Sequence, residues 1–310
     1  MRYRTSLMAV VFVLFSGGFV NAVEKRGVLI VAHGAPSDAW NQPVLVVEKQ
    51  VKDILDSEQS ESITAVRVAF MEFVEPSIAS TIADMERIGI NRLYILPMFV
   101  GPSDHTFYDL PTILGLHCDK HIVEQLREEG IELVDTDMRL TIGPVVDVNT
   151  ITEILSDRVL ELMDDSTESA LVILSHGAHG YETRWEQQSK KIGAHICGTL
   201  GMRFFDHAFV GMGQGFVANG APVIFRALEE HECILVVSMY LSMGVEKLAM
   251  NSLVSMGKMQ IGGAELFSNH DVRFASRGLL PDKRIARWAA NKVGEWLDVL
   301  DHTVPPDSRD

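Results

Sequence analysis

Apolar residues in this chain fall into short unbroken runs, separated by longer stretches in which they recur every three or four positions. In the first half the runs at 28–32, 63–70 and 93–96 have strand length. Between them, 42–55 and 78–88 carry Val, Leu and Ile at helical spacing, the second beginning just after Pro76. A helix over 122–129 closed by Gly130, a strand over 131–134 and a long helix over 145–162 complete the half. The second half follows the same order, with strands expected near 171–175, 204–210, 233–237 and 264–267 and a closing helix across 283–300. Fully apolar strands alternating with amphipathic helices predict parallel sheets covered on both faces. The expected fold is α/β: two tandem flavodoxin-like, doubly wound parallel-sheet domains. Ligands of such sheets bind beyond the carboxyl ends of the strands.

Two echoes support a duplication. Residues 27–35 read Gly-Val-Leu-Ile-Val-Ala-His-Gly-Ala, and 170–178 read Ala-Leu-Val-Ile-Leu-Ser-His-Gly-Ala. The run at 93–100 returns at 234–241, and His33 lies 64 residues before Pro97 while His176 lies 62 before Ser238. The polar stretch 164–169 separates the halves, so the expected domains are 23–164 and 165–310. Residues 1–22 stand apart. Arg2 and Arg4 precede an apolar stretch over 7–20 that ends in Val20-Asn21-Ala22, the pattern of a cleavable secretory signal. That stretch is shorter than the roughly 20 residues a membrane-spanning helix needs. The expected location is periplasmic or secreted, with no stable membrane span after cleavage.

The 310 residues include 27 Lys+Arg against 42 Asp+Glu, a formal charge of −15. Nucleic-acid binding is excluded on that balance, since it needs a basic footprint. Acidity instead favours cations near the surface. Cys118, Cys197 and Cys233 are too scattered for a zinc ribbon or a disulfide framework, and a free buried thiol is the expectation for at least one.

Candidate chemistry gathers at the expected strand ends. His33 follows the first strand and His105 the loop after the third; two neutral imidazoles converging there suit Co, Ni, Fe or Zn. Glu72, just past the second strand, reaches the same crevice as a third ligand or a proton acceptor. Asp104 and Asp109 flank His105, Asp109 being expected to cap a helix. In the second half His176 matches His33 and Glu246 aligns with His105, either as a second metal pair or as the degenerate half of a duplication. His117, Cys118 and His121 form a possible cluster, with surface placement the commoner outcome. Gly211, Gly213 and Gly215 follow a strand but lack the spacing of a dinucleotide loop, so no nucleotide is expected. Met239, Met243, Met250, Met256 and Met259 are expected as core filler, or as a shield for a planar apolar ligand.

The motifs Val-Ala-His33-Gly-Ala-Pro, Ala69-Phe-Met-Glu72-Phe-Val-Glu75-Pro-Ser-Ile, and Leu96-Pro-Met-Phe-Val-Gly101 through His105 to Asp109-Leu-Pro-Thr-Ile-Leu-Gly115 resemble the class II tetrapyrrole chelatases. The likeness is to the sirohydrochlorin cobaltochelatases in their long, two-domain form. It is specific over most of 27–160 and fainter over 170–310. The resemblance implies a lyase that inserts a divalent metal, cobalt first with iron or nickel as alternatives, into sirohydrochlorin during tetrapyrrole or cobalamin biosynthesis. It implies His33 and His105 as metal ligands, and a second-half pair, His176 and Glu246, like that of ferrochelatases. Two alternatives remain: a periplasmic metal-, haem- or tetrapyrrole-binding protein without turnover, and a ferrochelatase working from the second half. A substrate rich in carboxylates requires local cations, for which Arg139, Arg184, Lys190, Lys191, Arg203 and Lys247 are the candidates.

Overall fold

The structure is a computed structural model that describes residues 24–58, 62–164, 169–249 and 266–303. The expected signal segment 1–22, most of the polar stretch 164–169, and Met250, Met256 and Met259 lie outside the described residues.

Two four-stranded parallel sheets form, of identical topology. The first has the order β2-β1-β3-β4, built from β1 (Arg26–Ala32), β2 (Ile63–Phe70), β3 (Arg92–Pro97) and β4 (Arg139–Ile142). The second has the order β6-β5-β7-β8, built from β5 (Ala170–Ser175), β6 (Phe205–Phe209), β7 (Cys233–Met239) and β8 (Asp271–Phe274). β1 and β5 are inner strands of their sheets, beside β3 and β7, and Val28–Ala32 and Ala170–Ser175 are fully buried. That is why their sequences read as unbroken apolar runs instead of alternating ones. Both sheets follow the flavodoxin-like order over the strands they contain.

Two strand expectations are corrected. Residues 131–134 pair with no strand: Ile131 and Val134 donate their amides to Leu126 and Ile113 at helix ends, and the open edge of β3 is taken by β4, with Arg92 opposite Arg139. Near 264–267, the described Leu266 and Phe267 form a tight helical turn with Phe267 buried in the core, and the edge strand is β8 instead.

The helices carry the other departure from sequence. In the first half α1 (Asp38–Ser57), α2 (Ile78–Arg87), a π-helical turn (His105–Asp109) running into α3 (Leu110–Ile113), α4 (Lys120–Glu128) and α5 (Val148–Leu162) follow in order. The Asp147 carboxylate accepts from the amides of Asn149 and Thr150 and so starts α5 three residues after the expected position. α5 packs on β7 and on α6 (Glu182–Leu200) of the second sheet. The closing helix Lys283–Thr303 packs instead on α1 and β3 of the first, with Trp296 stacked on Tyr94 at 5.0 Å. Each half therefore lends its last helix to the other. One continuous apolar core joins them, running from Val28 and Ile30 through Val44, Ile151 and Ile173 to Val236 and Val293. A separate core covers the opposite face of the first sheet, with Leu29, Val31, Ile82, Leu93 and Leu110.

Candidate metal centre in the interdomain cleft

His33 is the first residue after β1 and His176 the first after β5, so both stand at the carboxyl edges of inner strands. The two edges face one cavity of about 750 Å³. Its wall is mostly apolar: Trp40, Phe73, Met98, Phe99 and Ile122 from the first half meet Trp185, Met212, Tyr240 and Leu241 from the second. His33, His105, His176 and His179 are its imidazoles.

His33, Glu72 and His105 come together, each offering a ligand atom within 4.8 Å of the others; among the described residues theirs is the sole metal-capable cluster of three or more. All three are partly buried. The His33 and His105 rings meet edge to face at 4.7 Å between centroids. His33 Nδ1 lies 3.0 Å from the carbonyl of Gly34, a bond that only an Nδ1–H can donate. Nε2 is thereby left bare, 3.5 Å from Glu72 Oε1. Bonds of about 2.1 Å to a tetrahedral ion place neighbouring ligand atoms about 3.4 Å apart, so this pair fits one. The Glu72 amide donates to the carbonyl of His33 at 2.9 Å, which fixes the acid to the histidine through the backbone. Gly34, at φ +91°, makes that approach possible, because a Cβ there would run into the Glu72 carbonyl.

His105 lies eight residues past β3, inside the π-helical turn rather than directly at a strand end. Such turns recur at functional sites. The turn directs its Nδ1 to Asp109 Oδ2 at 2.8 Å, again leaving Nε2 for the cavity. Asp109 caps nothing with its side chain; it is a buried carboxylate that orients His105, which corrects the helix-cap expectation. Its i,i+4 spacing from His105 is the signal that points to this role. Burial acts to lower the His105 pKa, but the hydrogen bond to Asp109 and the charges of Asp109, Glu72 and Asp104 outweigh it and hold the ring above its ordinary value.

The second half keeps only part of this arrangement. His176 repeats the lock, its Nδ1 bonded to the carbonyl of Gly177, and its ring is 6.3 Å from that of Tyr240. Where Glu72 donates its amide to His33, Gly211 donates to His176, so the second half has no carboxylate there. Glu246 is exposed and does not line the cavity; the expected His176/Glu246 pair is not assembled. The chain between Ser238 and Glu246 is bound elsewhere, with Ser238 Oγ donating to the Met243 carbonyl and Val245 to Ala275. His117, Cys118 and His121 are all exposed and form no such cluster. Met239 and Met243 are buried core residues. Gly211 and Gly213 both hold positive φ in the turn after β6.

Among the described residues no lysine or arginine lines the cavity. Of the six candidate cations, Arg184 sits over the Phe107 ring at 5.8 Å and Lys247 reaches Ser37 Oγ at 3.5 Å, while Lys190 is paired with Glu186. Local cations in the wall, expected from the charge balance, are therefore not found there. Three residues that contact the chain leading to His105 escaped sequence reasoning: Tyr181, Trp185 and Gln188 of α6 and the turn before it, of which Trp185 lines the cavity. Their partners lie 77 to 88 positions away in the first half, and no local pattern marks such contacts.

Comparison with known proteins fits this geometry. The CbiX family model matches residues 27–162, the segment that carries His33, Glu72 and His105. A sirohydrochlorin cobaltochelatase of Methanothermobacter thermautotrophicus is 32% identical over 96 residues, 31% of this chain and 62% of that protein. Its counterpart in Methanosarcina acetivorans is 31% identical over 93 residues, 30% of this chain and 67% of that protein. The chain thus spans a little over 60% of the length of the first of these relatives. In fold it is similar to SirB from Bacillus subtilis, solved with Fe3+, with a TM-score of 0.62 and 15% identity over 90% of this chain and 98% of that one. On the family match and the two-thirds of the Methanosarcina protein that it covers, the chain belongs to the CbiX family, together with these sirohydrochlorin cobaltochelatases.

Proposed function

We propose that this protein inserts a divalent metal ion, cobalt foremost, into sirohydrochlorin held in the cleft between its two halves. The observation that carries the reading is the meeting of His33, Glu72 and His105 beside a mostly apolar cavity of about 750 Å³ whose wall includes both histidines. A flat macrocycle is matched by aromatic and aliphatic walls, and the ion is matched by two imidazole nitrogens and a carboxylate.

In this scheme the bare Nε2 atoms of His33 and His105 hold the ion while its other positions stay open to the cavity. Three protein ligands retain a substrate ion without enclosing it, as a closed structural site would. Gly34 and Asp109 fix the two rings, so little reorientation is needed when the ion arrives. Insertion releases two pyrrole protons. Glu72, 3.5 Å from His33 Nε2, would accept one, and an imidazole Nε2 that gives up the ion would accept the other. Ligands of this kind suit cobalt, iron and nickel alike, and the names of the relatives favour cobalt. The substrate's carboxylates would project out of the apolar cavity, and Arg184, over the Phe107 ring, and Lys247, at Ser37 Oγ, are the cations proposed to meet them.

Work outside the cytoplasm is part of the same proposal, supported by the basic-then-apolar segment ending at Ala22. N-terminal sequencing of the exported protein should begin at Val23; recovery of the intact chain from the cytoplasm alone would refute that element. The chemistry is tested by following sirohydrochlorin absorbance with Co2+, Fe2+ and Ni2+ in turn. Metal-dependent turnover, fastest with Co2+, is expected. Stoichiometric binding without turnover would establish instead a tetrapyrrole- or metal-binding protein.

A further inference from the structure

The chain between β3 and the π-helical turn runs from Met98 to Asp104 with no strand partner, yet it must deliver His105 to within ligand distance of His33. Fixing each such residue costs backbone entropy that contacts must offset. Within the first half the segment is tied at its start, where Met98 donates to Val31 at 2.7 Å and Phe99 accepts from Val146 at 3.1 Å. From residue 100 to residue 104, the side-chain hydrogen bonds made among the described residues come from the second half. Gln188 Nε2 donates to the Val100 carbonyl at 2.8 Å, Trp185 Nε1 to the Pro102 carbonyl at 2.8 Å, and Tyr181 Oη to Asp104 Oδ1 at 3.2 Å. The Tyr181 ring also stacks on Phe107 at 5.7 Å and 15°. Gly101 lies flat against Trp185: a Cβ there would stand 2.5 Å from the indole ring. Residues on both sides of His105 are thus held by one helical end of the other half.

We propose that Tyr181, Trp185 and Gln188 are positioning residues that set the place of His105, so that the first half's metal centre is completed by the second half although the second half gives it no ligand. The inference rests on the reading of His33, Glu72 and His105 as a metal centre. It gives the second half a task in the chemistry that does not depend on the unassembled His176/Glu246 pair. The contacts favour such a role over plain packing because they fall on the backbone carbonyls and the carboxylate next to the ligand. Trp185 is buried, but Tyr181 and Gln188 are only partly so, and they can be altered without opening the core.

The test titrates the full chain with Co2+, with no tetrapyrrole, and follows the visible absorption of the bound ion. Wild type and His33→Ala report on the site itself; Tyr181→Phe/Gln188→Ala and Gly101→Ala report on the clamp. Expected are weakening of Co2+ binding by about 10–100-fold in the clamp variants, the range seen when groups supporting metal ligands are lost, and an altered absorption band, with far-UV circular dichroism unchanged. An unchanged Co2+ affinity and band in both clamp variants would overturn the proposal, as would lowered thermal stability with the band intact. If wild type fails to bind Co2+, or His33→Ala binds equally well, the metal-centre reading fails first and the clamp with it.

Discussion

At the scale of residues, the site depends on which nitrogen of each histidine is free. Gly34 and Asp109 take the Nδ1 protons of His33 and His105, and both Nε2 atoms are left to the cavity. For His105 this arrangement has a pH consequence. A proton and a metal ion compete for the same Nε2, and the ring's pKa is raised above 6.5 by Asp109, Glu72 and Asp104 against the effect of burial. Metal affinity should therefore decline as pH falls through that raised value, and be complete above it. Asp109→Asn removes the bonded negative charge, so the decline should move to lower pH while affinity on the alkaline plateau drops about 10–100-fold. Co2+ titrations across pH 5–8 check both parts, and an unmoved profile would contradict the role of Asp109. His33, Glu72 and His105 were legible in sequence because each sits in a motif at or near the carboxyl end of an apolar run. Asp109 does stand at the N-cap position of α3, but its side chain makes no cap bond, because the π-helical turn brings His105 four residues away to its carboxylate. The Glu246 position failed for a related reason: counting along the chain aligns it with His105, but the backbone after β7 takes another course.

At the scale of elements, the inner strands could be read directly, since β1 and β5 are buried on both faces and their sequences show it. Edges were harder. β4 and β8 are four residues each, with exposed or partly buried positions, and their sequences carry little of the apolar signal. The closing helix shows how distant parts are secured. Asp282 Oδ1 accepts from the Arg284 amide at 3.0 Å, and its other oxygen meets Arg284 and the buried Arg158. Burial acts to raise the Asp282 pKa, but Arg284 and Arg158 outweigh it and hold the carboxyl below its ordinary value. A depressed folded-state pKa contributes stability above the unfolded value and loses it as pH falls through the folded one. Asp282→Asn should accordingly destabilise the fold by about 1–3 kcal/mol near pH 7. The deficit should shrink below pH 4 and vanish at lower pH, as urea unfolding at pH 7 and pH 3 would show. An equal deficit at both would mean that the charge plays no part.

At the scale of the whole molecule, the helix exchange governs what the halves can do alone. Each sheet is covered on one side by a helix from the other half, with Ile285, Trp288, Val293 and Trp296 of the closing helix buried. Burying a side chain of this size is worth about 1.5–3 kcal/mol, and a domain's net stability is only about 5–15 kcal/mol. Residues 23–164 expressed alone should therefore be unfolded or aggregated, and should regain metal binding when co-expressed with 165–310. A monomeric, cooperatively folding fragment would contradict this. The duplication was visible in the sequence, but the exchange was not, because α5 and the closing helix look alike as amphipathic segments and nothing local tells which sheet each will cover. In the proposed reaction His33 and His105 hold the ion that enters the macrocycle. The most direct measurement is Co2+-dependent turnover of sirohydrochlorin, followed by absorbance, in wild type and in the His33→Ala/His105→Ala variant. Turnover in wild type and none above the uncatalysed rate in the folded variant is the predicted result; equal rates in the two would contradict it.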